Sequence, residues 1–432
     1  MADIREIAEI VSDYIKTKGE LKADFSIMST EVREISMKDG DFTLFRTLFD
    51  NNISIKVIKD HKKGTKNINK CTKEAVEAAI DEAIASAEVG DADECFDIAP
   101  AIKGEKFSQG AIEPDIEKLM ERTKELADDI ARDFKKIKIM EMFVKYNSGE
   151  EVFFNTNGTR DESEWGSYEL FMEFAGNDGE NSTGVSVTNV SFTNLDKKLM
   201  DLGSVRKDLE DAENSLNPIN IGDKFEGDII TAPMCGLQLL YFVCGNAAFD
   251  SALINKTSRW LGKVGEKVAS PLLTLRNAPW DERMGVHETH TDDGFRTENY
   301  DLIENGILKG YHAGLYASNK CGVKRAGCSG IYPVIEPGDT SYEDMIKSIK
   351  RGLIVGQVSC GTPGASGELS GVAKNAFYIE DGVIKGAVME VMISANVYDM
   401  VQNIKAISKE QVCTGNMVMP YLQIEKVTIS GN

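Results

Sequence analysis

Residues 24–60 read DFSIMSTEVREISMKDGDFTLFRTLFDNNISIKVIKD. Four segments of this stretch, residues 26–29, 32–35, 42–44 and 53–57, show a hydrophobic period near two. Because successive side chains of a strand point to opposite faces of a sheet, this period indicates strands. Asp39-Gly40 lies between two of the segments and is typical of a tight hairpin turn. The stretch therefore predicts an antiparallel meander.

Helical patterns flank this meander. Residues 3–17 place apolar side chains on one helical face, and Thr72 can cap a second helix that runs to about Ala87. Pro114 suits the first turn of a third helix, whose apolar stripe extends to Phe134. Further along the chain we expect strands at about 138–146, 151–155, 164–174 and 184–193, then a charged helix at about 195–213.

The second half of the chain has its own signals. Residues 303–310 (IENGILKG) nearly recur as residues 379–386 (IEDGVIKG), and each Asn-Gly or Asp-Gly pair predicts a hairpin. Similar turn chemistry explains the recurrence better than a duplicated unit, which is the alternative. Residues 236–249 are apolar on all sides, contain no carboxylate and no imidazole, and are too few to span a membrane. They predict a core or interface helix.

Glycine usage divides the chain near Asn217-Pro218. Residues 1–217 contain 13 of the 38 glycines, whereas residues 218–432 contain 25 and therefore use more tight turns. Strands interspersed with helices, without strict βαβ alternation, indicate an α+β fold in both regions. We expect two domains: an N-terminal antiparallel sheet with helices, and a C-terminal Gly-rich, β-dominated domain with a buried helix.

Composition excludes some functions. With 49 Lys+Arg against 70 Asp+Glu, the net charge is −21, which repels phosphate and argues against direct nucleic-acid binding. No stretch is apolar enough to span a bilayer, and the first residues do not resemble a secretory signal. The eight cysteines are scattered without a Cys-x-x-Cys pair, as expected of reduced thiols. We therefore expect a cytoplasmic protein without membrane contact.

One cluster could carry metal chemistry: His287, Glu288 and His290, followed by Asp292 and Asp293. Imidazoles and carboxylates are ligands of divalent metals, but the two histidines share a face in neither a helix nor a strand. Flanking glycines indicate a loop, where geometry is free. A metal site, a substrate-contacting loop and a solvated polar loop all remain open.

Residues 360–371 form the stretch richest in turn residues. Exposed main-chain N–H groups in such a loop can cradle an anion. However, the stretch lacks both the Gly-x-Gly-x-x-Gly pattern and the Gly-Lys-Ser/Thr ending of phosphate loops. A peptide- or ligand-contacting loop and a purely structural loop are equally consistent with it.

Four stretches together resemble the TldD/PmbA family, also described as modulators of DNA gyrase. They are residues 302–311 preceded by 292–294, residues 367–382, residues 420–431, and residues 55–64 with the Ala-rich segment that follows. The resemblance implies a dimeric, two-domain α+β protein associated with peptide hydrolysis. Its TldD branch carries a His-Glu-x-x-x-His zinc motif on a helix, completed by a cysteine near the C-terminus.

The resemblance places Tyr241 and Phe242 at the His-Glu positions, Asn246 at the second histidine and Cys413 at the cysteine ligand. No histidine or glutamate occurs in residues 229–256. The chain therefore resembles the PmbA/TldE branch, which lacks the zinc motif. This implies no catalytic residue and no cofactor on this chain, with zinc only on a TldD-like partner, and a peptide or unfolded protein as substrate.

The expected function is thus a non-zinc subunit of a cytoplasmic metalloprotease complex, with substrate contacts from His287, His290, Ser366, Gly367 and Ser370. A stand-alone homodimeric peptide- or ligand-binding protein is the first alternative. The second is an atypical metal-dependent hydrolase that uses His287, Glu288 and His290. No residue supports direct DNA binding as the basis of a gyrase link.

Overall fold

The computed structural model describes residues 3–38 and 40–431. Within these residues the strands form two sheets, one of seven strands in the first half of the chain and one of eleven strands in the second. The predicted α+β class is confirmed. The last strand of the first sheet ends at Phe192 and the first strand of the second begins at Phe225, on either side of residue 217, while the domain boundary itself stays a prediction.

The first sheet contains β1 (Lys22–Lys38), β2 (Asp41–Lys59), β3 (Lys62–Ile68), β4 (Lys106–Gly110), β5 (Ile137–Asn155), β6 (Arg160–Gly176) and β7 (Ser186–Phe192). Its strand order is β3-β2-β1-β5-β6-β4, and β7 pairs with β6. The predicted meander is confirmed, because β1, β2 and β3 pair antiparallel and Lys38 lies opposite Asp41. Asp39 of the predicted turn lies outside the described residues.

The two strands expected at 138–146 and 151–155 are one continuous strand, β5. The sequence of residues 147–150 is typical of a turn. In the structure, however, these residues pair with β1 on one side and with β6 on the other. Gly149 explains the difference. The indole of Trp165 covers it so closely that an added Cβ would lie 2.2 Å from the ring. A glycine that looks like a turn signal is here a packing site for an aromatic side chain.

The helices of the first half are α1 (Ile4–Lys16), α2 (Lys73–Val89), α3 (Ile116–Asp133) and α4 (Val205–Asn214). The first three match the predicted helices, and Asp3, Thr72 and Asp115 cap their N-termini. The charged helix expected at 195–213 begins later, after a short 3-10 turn at Leu199–Asp201. Gly203 separates the two with φ of 53°, which no α-helix accommodates.

All four helices cover one face of the first sheet. Phe25, Ile27, Ile55 and Val57 are fully buried beneath α1 and α2. Further along the same face, a second cluster around Leu170 packs under α3 and α4. The intervening positions of the strands point to the opposite face, which no helix of the first half covers within the described residues.

The second sheet contains β8 (Phe225–Thr231), β9 (Leu275–Asn277), β10 (Tyr300–Glu304), β11 (Ile307–Leu308), β12 (Pro333–Ile335), β13 (Arg351–Ser359), β14 (Glu368–Glu380), β15 (Val383–Val388), β16 (Met392–Asn396), β17 (Ile404–Cys413) and β18 (Val418–Ser430). Strands β18, β16, β14, β13 and β8 pair in that order, and β8 pairs with β18 again. These five strands therefore close into a barrel. The helices are α5 (Pro233–Ala247), α6 (Asp250–Ile254), α7 (Leu315–Cys321), α8 (Tyr342–Ser348) and α9 (Val397–Gln402).

Both predicted hairpins of the second half are confirmed. Asn305-Gly306 joins β10 to β11, and Asp381-Gly382 joins β14 to β15. All four of these residues have positive φ, between 48° and 78°, as a type I′ turn requires. The predicted buried helix is α5, which packs against β13 and β18, but it is buried on one side only.

Gly64 provides a test of the packing between β3 and α2. An added Cβ would lie 2.0 Å from the main-chain oxygen of Ala83 and 2.6 Å from the main-chain nitrogen of Ala87. Because backbone atoms cannot swing aside, Gly64→Ala should lower the free energy of unfolding by about 2 kcal/mol, measured by urea denaturation. Gly184, which has open space around it, is the matched control, and Gly184→Ala should unfold like the wild type. Equal midpoints for the two variants would contradict this packing.

Candidate functional site

A cavity of ≈ 730 Å³ lies between the uncovered face of the first sheet and residues 286–293 of the second half. Its wall from the second half includes three sequence-predicted residues, His287, Glu288 and His290. Ser366, Gly367 and Ser370 are not among its lining residues. The first sheet contributes Asp24, Ser26, Met28, Ser54, Ile55, Lys56, Lys63, Thr65, Gln109, Glu151, Phe153, Ser163 and Trp165.

Strand periodicity explains the polar wall. In β1, Phe25 and Ile27 point to the helices, so Asp24 and Ser26 must point to the cavity. In β5, Val152 is buried on the helix side whereas Glu151 faces the cavity. The same alternation that builds the core therefore lines the cavity with hydroxyl, carboxylate and ammonium groups.

Lys56 is the central charge of this wall. Its ammonium nitrogen lies 2.7 Å from Asp24 Oδ2 and 3.2 Å from Asp293 Oδ1, and it donates to the main-chain oxygen of Asp292 at 3.1 Å. Burial by itself lowers the pKa of Lys56, but the two carboxylates reverse this and hold the pKa above its ordinary value. Burial raises the pKa of Asp24 to about 6, against the opposing effect of Lys56. The ammonium group thus bridges the two halves of the chain.

His290 and Glu151 form a second bridge. Their Nε2 and Oε2 atoms are 3.3 Å apart, and the imidazole stacks on Phe153 with ring centroids 4.1 Å apart. Ser26 donates a hydrogen bond to the other oxygen of Glu151. Burial by itself lowers the pKa of His290, but Glu151 outweighs it and raises that pKa above the ordinary value. The pKa of Glu151 is lowered, because its hydrogen bond and charge interaction with His290 outweigh burial.

His287 has a different environment. Its main chain exchanges hydrogen bonds with the Gln109 side chain, but neither ring nitrogen has a hydrogen-bond partner within the described residues. The edge of its ring contacts Trp280, with centroids 4.2 Å apart. Burial lowers the pKa of His287 to about 4, so the imidazole is neutral at pH 7. His287 and His290, three residues apart, therefore have opposite pKa shifts.

Glu288 stabilises the loop. Its carboxylate accepts hydrogen bonds from the main-chain nitrogens of Ser329 and Gly330, and its own N–H donates to Tyr332. Both carboxylate oxygens are thus engaged. Across residues 3–38 and 40–431, no group of three or more His, Cys, Asp and Glu side chains is placed to hold a metal ion.

The positions expected to match the zinc motif lie on α5. Tyr241 is 49% exposed, whereas Phe242 packs against the core of the second half. The Asn246 amide donates to the main-chain oxygens of Phe242 and Pro363, at 3.0 and 2.8 Å. Phenol, phenyl and a donating amide do not supply the imidazole or thiolate ligands of zinc. The residues present at these positions do not fit a zinc ion.

Cys413 is engaged elsewhere. It ends β17, where its thiol donates to the main-chain oxygen of Arg283 at 3.2 Å. It packs beside Met284 and Val418, whereas Asn246 contacts Pro363. No hydrogen bond or ring contact joins Cys413 to α5 in the described part of the chain.

The predicted loop 360–371 is part loop and part strand. Ser366 and Gly367 lie in the turn before β14, and the Ser366 main-chain oxygen accepts from Arg259. Gly367 has φ of 80° and lies against Tyr398. Ser370 belongs to β14, where its exposed hydroxyl lies 3.1 Å from that of Ser394. Because Pro363 contacts Asn246, this loop adjoins α5 and not the cavity.

The sequence prediction missed the half of the site that the first sheet provides, above all Asp24, Lys56 and Glu151. A signal was present: charged residues at strand positions that alternate with fully buried ones. Such positions are usually solvated, so the pattern alone did not distinguish a cavity wall from a surface. The opposite wall of the cavity comes from residues more than 120 positions further along the chain.

Comparison with known proteins places the chain among metallopeptidase relatives. The model for PmbA/TldA metallopeptidase domain 1 matches residues 23–87, and the model for the PmbA/TldA metallopeptidase C-terminal domain matches residues 225–431. A metalloprotease of Methanocaldococcus jannaschii is 24% identical over 414 residues, which is 90% of each chain. A metalloprotease of Methanothermobacter thermautotrophicus is 27% identical over 199 residues, and that alignment spans 42% of this chain and 43% of the relative.

Two solved structures share the fold. TldE from Thermococcus kodakarensis superposes with a TM-score of 0.78 at 23% identity, covering 99% of both chains. A protein described as a modulator of DNA gyrase from Bacteroides thetaiotaomicron gives a TM-score of 0.84 at 21% identity, again over 99% of both chains. Among the described residues, no helix is long and apolar enough to cross a membrane.

Lys56→Met tests the bridge between the two halves. Removing one partner leaves two carboxylates facing each other in a largely buried site, and we expect a loss of about 3 kcal/mol at pH 7. The loss should shrink at pH 5. The pKa of Asp24 is already raised beside Lys56, and without the ammonium group it rises further above the unfolded value. The stability of the variant therefore falls more steeply than that of the wild type as pH rises through that window, and the difference shrinks as pH drops. Urea denaturation at both pH values measures this effect.

Lys63, which lines the same cavity, is the matched control for that experiment. Its ammonium group lies over the Phe96 ring at 5.1 Å, so Lys63→Met should cost less than about 1 kcal/mol. The bridge is contradicted if both lysine variants unfold alike, or if the loss for Lys56→Met does not depend on pH.

His287→Gln tests the neutral imidazole. The folded-state pKa of about 4 lies below the ordinary 6.5, so the unfolded chain takes up a proton first as pH falls. The wild type should therefore lose stability between pH 7 and pH 4, by about 1 kcal/mol because the side chain is partly exposed. His287→Gln should lack this component. Parallel pH profiles of unfolding free energy for the two proteins would show that His287 is not held neutral.

Proposed function

The chain belongs to the PmbA/TldD metallopeptidase family, and on that basis we propose that it is the TldE-like, non-zinc subunit of a cytoplasmic peptidase complex. The observation that carries this proposal is the set of side chains on α5. Tyr241, Phe242 and Asn246 lie on this helix, and the resemblance assigns them to the zinc-motif positions of the TldD branch. The zinc ion and the reaction at it would belong to a TldD-like partner.

The contacts of α5 support a structural role for these positions. Asn246 ties the end of the helix to the loop before β14, and Phe242 fills core space. Cys244, between them, is buried, which raises the pKa of its thiol to about 12 and disfavours a thiolate ligand. Tyr241, by contrast, presents a half-exposed ring at the surface. In this proposal, packing and main-chain hydrogen bonds stand where the TldD branch would have its hydrated metal pocket.

In this proposal the chain contributes to peptide binding. The polar cavity between the two halves offers hydroxyl, amide and carboxylate groups, and His287 and His290 lie in its wall. Ser366, Gly367 and Ser370 form a separate candidate contact beside α5. An extended peptide that pairs with strand edges would be held without a strong demand on its sequence.

A stand-alone binding protein is the second candidate. The cavity favours it, because residues of this chain alone complete that site. The third candidate, a hydrolase that uses His287, Glu288 and His290 as metal ligands, has less support. Both oxygens of Glu288 accept main-chain hydrogen bonds, and the two histidines differ in environment.

The deciding experiment measures zinc and peptidase activity. We expect the purified chain to contain far less than one zinc per chain and to cleave no unfolded protein alone. Mixed with a TldD-like protein of the same source, it should co-purify and raise that protein's cleavage rate at least tenfold. Cys413→Ala should leave the zinc content unchanged. One zinc per chain with activity in the isolated protein would overturn the proposal, and binding of peptides without a partner would favour the second candidate.

A further inference from the structure

The cavity between the two halves has an excess of negative charge. Its wall contains five carboxylates and two ammonium groups, which are Asp24, Glu151, Glu288, Asp292 and Asp293 against Lys56 and Lys63. A positive charge on His290 would still leave the carboxylates in excess. A concave wall of one sign attracts ligands of the opposite sign, because the low-dielectric protein around it focuses the field. The cavity therefore favours a cationic ligand over a neutral or an anionic one.

Three of the five carboxylates are engaged by the protein itself. Glu151 lies 3.3 Å from His290, and Glu288 accepts hydrogen bonds from two main-chain N–H groups. Asp293 accepts from one main-chain N–H through Oδ2 at 2.8 Å and contacts Lys56 through Oδ1 at 3.2 Å. These three groups have partners that fix their positions, so the unmet demand for hydrogen bonds lies with the other two.

Asp24 and Asp292 are the two carboxylates with unfilled acceptor sites. The Asp24 side chain is only 9% exposed, and within the described residues its one partner is the Lys56 ammonium, 2.7 Å from Oδ2. The Asp292 carboxylate has no hydrogen bond or ion pair in the described part of the chain, although its main-chain N–H and oxygen are bound by Ser329 and Lys56. Buried carboxylates normally accept several hydrogen bonds. A donor from a ligand would complete this pair.

His287 provides an observation that does not depend on charge. Both of its ring nitrogens are buried without a hydrogen-bond partner among residues 3–38 and 40–431, and the ring lies in the wall of the same cavity. A neutral imidazole has one unprotonated nitrogen, which can accept a hydrogen bond. The cavity therefore holds an unused neutral acceptor in addition to the two carboxylates.

We propose that this cavity binds a protonated primary amine, with Asp24 and Asp292 as its carboxylate contacts and His287 as a further acceptor. An ammonium group carries three N–H donors, which matches acceptors of this kind. A divalent metal would need three or more ligands placed together, and no such group occurs in the described residues. In a peptide, the amine is either a lysine side chain or the free N-terminal amine. The inference rests on the proposed function only in taking a peptide as the carrier of that amine.

The first test is isothermal titration of the isolated chain with three peptides at pH 7. Acetyl-Gly-Lys-Gly-amide has its ammonium group on the side chain, and Gly-Gly-Gly-amide has it at the N-terminus. Acetyl-Gly-norleucine-Gly-amide is the neutral control, because its butyl side chain matches that of lysine without the amine. At least one ammonium peptide should bind about tenfold more tightly than the norleucine peptide, and the tighter of the two identifies the source of the amine.

The second test assigns the contacts. Asp292→Asn and Asp24→Asn should each weaken binding of the preferred ammonium peptide about tenfold and leave the affinity for the norleucine peptide unchanged. Asp292 is exposed, so its variant should unfold at the same urea concentration as the wild type, which separates lost binding from lost folding. Asp223→Asn is the matched control. Asp223 is exposed and lies outside the cavity, so this variant removes the same charge and should bind like the wild type.

Three results would each overturn the inference: equal affinities for the charged and neutral peptides, no binding of any of the three, or equal losses for Asp292→Asn and Asp223→Asn. None of these measurements involves zinc or a TldD-like protein. Their failure would therefore leave the subunit role to its own experiment. Conversely, zinc and activity in the isolated chain would overturn that role without changing the result expected for the amine.

Discussion

A buried ammonium group ties the two halves of the molecule together at the centre of the cavity. Lys56 projects from the first sheet and reaches Asp293 and the main chain of Asp292 in the second half, while Asp24 holds it from its own sheet. A buried charge of this kind is costly unless it is fully paired, so the loop 286–293 must close over the sheet in one position. His290 with Glu151, and Arg296 with Asp161, add charged contacts along the same boundary.

This constraint also creates the cavity. A charged contact fixes the distance between two surfaces without filling the volume beside it, whereas apolar side chains in contact would fill that volume. The first sheet can tolerate the open, polar face because its other face carries the helices and the core. The hydrophobic core and the cavity thus lie on opposite faces of the same strands. The alternation of polar and apolar side chains in residues 24–27 already indicates this arrangement.

Local signals predicted most of the fold. The meander, the capped helices and both type I′ hairpins follow from patterns within ten to twenty residues, and the structure reproduces them. The expected strand break near residue 149 and the expected start of the helix at residue 195 were wrong for reasons of tertiary structure. Gly149 lies under an indole, and Gly203 takes a left-handed conformation between two helical segments. Of the site, the sequence predicted His287 and His290 but not Lys56, because an ion pair between residues more than 200 positions apart has no local pattern.

The separation between α5 and the cavity bears on how such a family can diversify. Helix α5 belongs to the core of the second half and contributes no residue to the cavity wall, so substitutions on it leave that wall unchanged. The cavity depends instead on pairs that span both halves, so losing one member would leave a charge buried without its partner. Side chains on α5 can therefore change in a single chain, while the architecture that brings both halves together around the polar cavity is retained.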